Sequence, residues 1–329
     1  MSFNLILHIG RHKSGTSALQ IALDTNRGLL ESKGVLYPKA GAKGKTAHHD
    51  LAYALNSKFK RNDYLELIGM IKEEIKEHHH TVIISSEAFQ NIHNMNRVNI
   101  LVETLKPDNT TIICYFREYA DYCIASFSQR IQAQPAFITF QNQVDDMKGL
   151  SITTFIERWV SVGTFKMYWF DRNKLINLDI VDDFFNRIGF AGYLSDLEKC
   201  PYNPNPSIGG NLLFLKNAAN YLRCEFISYQ SMSKLAATFA AFRVPMYLAT
   251  DHVEFLRDGS NYNNYLIEHL GPIDMKDWSD NPPIPNNARL QADIDKLYLF
   301  APGADKELIQ KIAHHALEDV NWFSIVDYK

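Results

Sequence analysis

Residues 5–23, LILHIGRHKSGTSALQIAL, restrict the fold more than any other stretch. Leu5 to Ile9 are almost all apolar and run straight into Gly10, the pattern of a buried strand entering a turn. From Thr16 the period changes: Leu19, Ala22, Leu23 and Leu30 share one helical face, with Ser17 and Gln20 off it. A strand that enters a helix through a glycine-containing loop builds an anion site. Loop amides and the helix N-terminus aim N–H groups and a partial positive charge at one spot. Gly10 and Gly15 keep the four-residue gap of the nucleotide-binding GxxxxGK[ST] loop, but Thr16 stands where that motif has lysine. The cation sits inside the loop instead, at Lys13, and the hydroxyls of Thr16 and Ser17 are placed to cap the helix start. A plain glycine-bearing turn with a solvated lysine is the alternative.

Downstream, strand and helix alternate. Tyr64, Leu67, Ile68, Ile71 and Ile75 predict an amphipathic helix over 61–79, ended by the histidine run 78–80. A strand at Thr81–Ser85 delivers Ser86 and Glu87, and a helix follows at 96–106. A third strand, TTIICYF, ends in Arg117, and a helix begins near Tyr119. Helices at 153–162 and 180–188 flank a strand at 164–170. Such alternation predicts an α/β fold, a parallel sheet with helices on both faces. Beyond residue 206 the spacing is helical, at 209–222, 231–241, 260–269 and 305–318, with a proline-rich extended loop at 279–287. The expected organisation is a single domain over 1–329, with an α/β core at 1–205 and a mainly helical part at 206–329.

In open parallel sheets ligands bind beyond the C-terminal strand ends. That rule gathers Lys13, Glu87 and Arg117 at one edge, with a structural Glu87–Arg117 ion pair as the competing explanation. The stretch AGAKGKTAHHD, 40–50, reads as a mobile loop ending in His48 and His49, which are proton acceptors beside an anion site or simply solvated.

Composition narrows the classes. With 34 Lys+Arg against 37 Asp+Glu the net charge is −3, so nothing attracts nucleic acid in bulk and an anionic ligand needs a local site. Four cysteines without a CxxC pair fit a reduced, cytoplasmic protein. No apolar run approaches the roughly 20 residues that span a bilayer. Cationic histidines after a helix are sufficient reason for the 78–80 run, so no metal is expected.

The loop KSGTS resembles the 5′-phosphosulfate loop of the sulfotransferases that use 3′-phosphoadenosine 5′-phosphosulfate (PAPS). YFRE followed by DYCIASFSQRI resembles their second nucleotide element, an arginine at a strand end and a serine on the next helix. The family's serine lies eight residues after the arginine; that position is Ala125 here, and Ser126 is one further on. SSE, the HHDLAYAL that follows GVLYP, and NPSIGGNLLFLKNAANYL with Ser207 resemble further segments of bacterial members. The likeness thus runs in order over residues 4–222. It implies a P-loop NTPase-like sulfotransferase fold that moves a sulfuryl group from PAPS to a hydroxyl or amine of a small-molecule or glycan acceptor. Neither a metal, a nucleic acid nor a membrane is implied. Arg11, His12, Lys13, Ser14, Gly15, Thr16, Ser17, Arg117, Ser126 and Ser207 would hold the nucleotide. Lys13 would also serve the leaving oxygen, with Glu87, His48 or His49 as base. A nucleotide kinase or NTPase with a degenerate loop, or a non-catalytic nucleotide- or glycan-binding module, are the other readings; acceptor and oligomeric state are left open.

Overall fold

The computed structural model describes residues 2–42, 44–199, 206–258, 260–300, 307, 309–311, 314 and 320–325. Strands β1 (Asn4–His8), β2 (Val35–Leu36), β3 (Thr81–Ser85), β4 (Asn109–Phe116) and β5 (Thr164–Trp169) pair in parallel in the order β2-β3-β1-β4-β5. The apolar runs of β1, β3 and the second half of β4 are continuous because both faces are covered there, whereas the edge strand β5 exposes Thr164 and Lys166. On one face Ile6, Ile83, Ile113 and Tyr115 join Leu19, Ala22 and Leu23 of the helix Thr16–Thr25 and Val181, Phe184 and Phe185 of the helix Ile180–Arg187 in one core. On the other face Leu5, Leu7, Val82, Ile84 and Ile112 are fully buried. The α/β class and the parallel sheet are as predicted; the two-residue β2 extends the sheet at the β3 edge.

The order of the strands locates a crevice. From β1 the chain travels to β2 and β3 on one side, then crosses to β4 and β5 on the other. The direction of travel therefore reverses between β1 and β4, and the space beyond their C-terminal ends is the one a ligand can enter.

The chain forms two compact units, each made of separated stretches. The first comprises Met1–Arg117, Ser151–Tyr202 and Ile267–Ile273, and the second Glu118–Leu150, Asn203–Leu266 and Asp274–Lys329. In the first, the indole Nε1 of Trp169 at the end of β5 donates to the Gly271 carbonyl (3.0 Å) and fastens the distant segment. The described part of the second is helical. Its helix Tyr119–Ala133 is capped by Glu118, whose carboxylate accepts from the amides of Ala120 and Asp121 and from Asn263 Nδ2 (2.7 Å). Phe127 of this helix packs edge-on against Phe140 and Phe323.

Several local expectations are corrected. The helix predicted over 61–79 is Tyr64–Glu74. Ile75 turns extended, and His79 then closes a turn, its Nδ1 accepting from Lys76 N (2.8 Å) and its own amide donating to Lys76 O (3.0 Å). The histidine run belongs to that turn. The 40–50 stretch is not simply loose: Ala40, Gly41, Ala42, Ala47 and His48 are buried, while Gly44 and Lys45 are exposed. Helices at Phe140–Met147, Thr250–Asp258 and Leu290–Phe300 are additional to those predicted. The helix predicted over 305–318 lies largely outside the described residues. No helix among them is long and apolar enough to cross a membrane.

Candidate functional site

The site grows from the end of β1. Ile9 N donates to Ile113 O (3.0 Å), which carries the ladder one residue past the strand before the chain swings away at Gly10. Gly10 has φ +41°, and a Cβ there would stand 2.6 Å from Thr16 Cγ2 and 3.3 Å from Glu87 Cβ, so only glycine lets the loop lie this close to the end of β3. Ser14 is a staple of the loop: its hydroxyl donates to Arg11 O (2.6 Å) and accepts from Arg11 N (3.2 Å). Arg11 is buried with its guanidinium over Phe155 (4.9 Å from the ring centroid) and near Phe116.

Gly15, at φ +74°, is the residue that opens the helix Thr16–Thr25, and no side chain caps it. Thr16 and Ser17 are its first two helical residues, which corrects their expected capping role: their hydroxyls lie past the position from which a side chain reaches the second and third amides. A Cβ on Gly15 would meet Phe170 Cε2 at 2.6 Å and Ile180 Cγ2 at 3.2 Å. Gly15→Ala is therefore expected to destabilise the protein by about 2 kcal/mol, lowering the melting temperature by roughly 4–8 °C. An unchanged melting curve would show that the loop relaxes freely.

Lys13 also adopts the left-handed region, with φ 64°. Its Nζ is buried and has no hydrogen-bond partner among the described residues. Burial, reinforced by the nearby Arg117 charge and opposed by Glu87, pushes its amine down to about 8. Arg117, just past β4, donates from Nε to the Lys13 carbonyl and lays its guanidinium 4.8 Å from the Phe170 centroid. The two cations thus meet across the β1/β4 crevice. His12 is held below its usual range by burial, with Arg11, Lys13 and His49 adding to the effect and Glu87 opposing it.

Glu87 begins a short 3₁₀ turn, Glu87–Asn91, after β3. Its Oε2 accepts from Gln20 Nε2 (2.8 Å), and its Oε1 lies 3.7 Å from His49 Nε2. Burial raises its carboxyl, but His49, the Gln20 bond, its own amide and His12 together bring it below the ordinary value. Ser86 Oγ bonds His49 Nδ1 (2.7 Å) and orients that ring.

His48 and His49 part company. His48 is completely buried, with Nε2 donating to Pro38 O (2.8 Å) and Nδ1 accepting from Ser85 N (3.2 Å), and burial pushes it down to about 4. Both its nitrogens serve the backbone, whereas His49 faces Glu87. The structure thus brings Lys13, His12, Glu87, His49 and Arg117 together in the first unit. Ser126, half-buried on Tyr119–Ala133, and Ser207, half-buried ahead of the helix Gly210–Tyr221, belong to the second.

Sequence reasoning missed Gln20 and Phe170, and placed Ser86 at the strand end beside Glu87 without giving it a role. Gln20 is buried rather than off the packed face, and its one sequence signal is its i+4 spacing from Thr16, which puts it above the loop.

Among the described residues one group has metal-ligating geometry: Glu31, His78 and His79. His79 Nε2 approaches Glu31 Oε2 (2.8 Å) and His78 Nε2 approaches Oε1 (3.0 Å). Because His79 Nδ1 accepts the Lys76 amide, its neutral ring carries the proton on Nε2, the atom that would have to bind an ion. The arrangement is that of a histidine–carboxylate hydrogen bond.

No family model, no curated protein and no solved structure matches the chain.

Proposed function

We propose that this protein is a PAPS-dependent sulfotransferase of the P-loop-like fold. The observation that carries the reading is the Lys13 amine, buried without a hydrogen-bond partner among the described residues, in a glycine-bounded loop at a helix N-terminus and next to Arg117. A buried cation in that setting is matched to an anion.

In this reading the loop amides and the start of the helix Thr16–Thr25 receive the 5′-phosphosulfate. An acceptor hydroxyl or amine attacks sulfur in line, a new S–O or S–N bond forms, and the bond from sulfur to the bridging oxygen breaks. Adenosine 3′,5′-bisphosphate leaves, Lys13 stabilises the charge growing on its oxygen, and Glu87 takes the acceptor's proton. Glu87 suits the role because Gln20 and His49 fix its carboxylate and keep it ionised. Arg117 would meet the 3′-phosphate through its planar fork, as the resemblance implies.

Binding separates this reading from others. Adenosine 3′,5′-bisphosphate is expected to bind about tenfold to a hundredfold more tightly than adenosine 5′-phosphate, the contribution of one charge-assisted contact. Equal affinities by calorimetry would reject PAPS as donor.

A further inference from the structure

A second set of side chains adjoins His49. Tyr53, one turn along the helix His49–Leu55, has its ring 6.2 Å from the His49 ring and tilted by only 30°. Phe59, in the following 3₁₀ turn Ser57–Phe59, stands edge-on to Tyr53 at 5.1 Å. Both rings are open to water, Tyr53 at 41% and Phe59 at 54%. Scattered exposed apolar residues are ordinary, but these two are contiguous and lead directly into the Glu87–His49 pair.

Cations border the same surface. Asn56 Nδ2 donates to Asn91 O (3.1 Å) and ties the Ser57–Phe59 turn to the segment that carries His93. Arg158 Nη1 donates to His93 Nδ1 (2.6 Å) and to Ile92 O (3.1 Å). Lys58, exposed on the Ser57–Phe59 turn next to Phe59, adds a second positive charge to that of Arg158. Arg158 also lies 5.8 Å from the buried Phe155 ring, which the loop's own Arg11 approaches to 4.9 Å.

From this we infer that the acceptor is a carboxylated carbohydrate chain, laid over Tyr53 and Phe59 with its anionic groups toward Lys58, His93 and Arg158. The inference rests on the reading of the loop as the sulfuryl-donor site. Contiguous exposed rings fit a sugar, which has one apolar face and hydroxyl edges. A phenol or sterol needs apolar walls on both sides. The cations call for an acidic chain, and the His49, Tyr53 and Phe59 rings together extend beyond a single pyranose.

The test is calorimetry on the full chain with hexagalacturonate, neutral maltohexaose and 4-nitrophenol, with adenosine 3′,5′-bisphosphate titrated in parallel. Hexagalacturonate is expected to bind, to weaken about tenfold in Tyr53→Ala and again in Lys58→Glu, and to bind at least tenfold more tightly than maltohexaose. Both substitutions are at solvent-exposed positions, and melting temperature and bisphosphate affinity are expected to hold. Absence of hexagalacturonate binding, a preference for maltohexaose or 4-nitrophenol, or indifference to both variants would overturn the inference. Bisphosphate binding without hexagalacturonate binding overturns this proposal alone; hexagalacturonate binding without bisphosphate binding overturns the donor reading and with it the chain's role as acceptor.

Discussion

Lys13→Met is expected to lower kcat by about 10²- to 10³-fold, the usual cost of removing one preorganised group that stabilises transition-state charge. The same substitution is expected to make the empty protein more stable. The Lys13 amine is held at about 8, below its ordinary 10.5, first by burial and then by Arg117. Between those values the unfolded chain binds a proton that the folded chain does not, so stability rises with pH through that window. Below it the folded state carries the full cost of a buried charge. Methionine removes the cost, about 1–3 kcal/mol at pH 7, and the melting temperature should climb by several degrees. An anionic ligand reverses the balance by giving Lys13 a counter-charge. Bisphosphate binding at pH 8–9 should therefore take up a proton, visible as a dependence of binding enthalpy on the buffer's ionisation enthalpy, and affinity should fall as pH rises through 8. An active, no more stable Lys13→Met protein would place the working cation elsewhere.

Glu87→Gln is expected to cost about a hundredfold in kcat while bisphosphate affinity holds, since the amide can still accept from Gln20 but cannot take a proton. His49→Asn should act differently. Burial alone would raise the Glu87 carboxyl, and His49 is the largest influence bringing it down. Without that ring the carboxyl titrates higher, so the acidic limb of the kcat profile should move to higher pH, with a smaller loss at its plateau. If Glu87→Gln turned over normally and His49→Asn did not, the proton would belong to His49.

The strands were legible because a strand buried on both faces is written as an unbroken apolar run, as in Leu5–Leu7 or Val82–Ile84. The loop was legible because Gly10 and Gly15 bracket it at a fixed spacing. What escaped depends on partners distant in sequence. Gln20 reads as a surface residue until Glu87, 67 positions away, supplies its hydrogen bond. His48 and His49 are indistinguishable in the sequence, yet one residue of helix separates a ring fixed between Pro38 and Ser85 from a ring that faces Glu87. Strand β2 is two residues long and exists only because Val35 and Leu36 find Thr81 and Val82. The short helix Phe140–Met147 is mostly polar, with Phe140, Val144 and Met147 on its buried face, and its start is set by a capping box between Thr139 and Asn142.

The fastening of Trp169 by Gly271 has a consequence for biosynthesis. All five strands have been made once residue 169 is added, but the Ile267–Ile273 segment that completes the first unit follows about 100 residues later. At elongation rates of about 5–20 residues per second, the ribosome delivers it some 5–20 s after β5. Throughout that interval the Trp169 indole, at the end of the edge strand β5, lacks the Gly271 carbonyl that its Nε1 reaches in the finished fold, leaving a large ring with an unpaired N–H. A messenger truncated anywhere before codon 267 would leave that indole without its partner permanently.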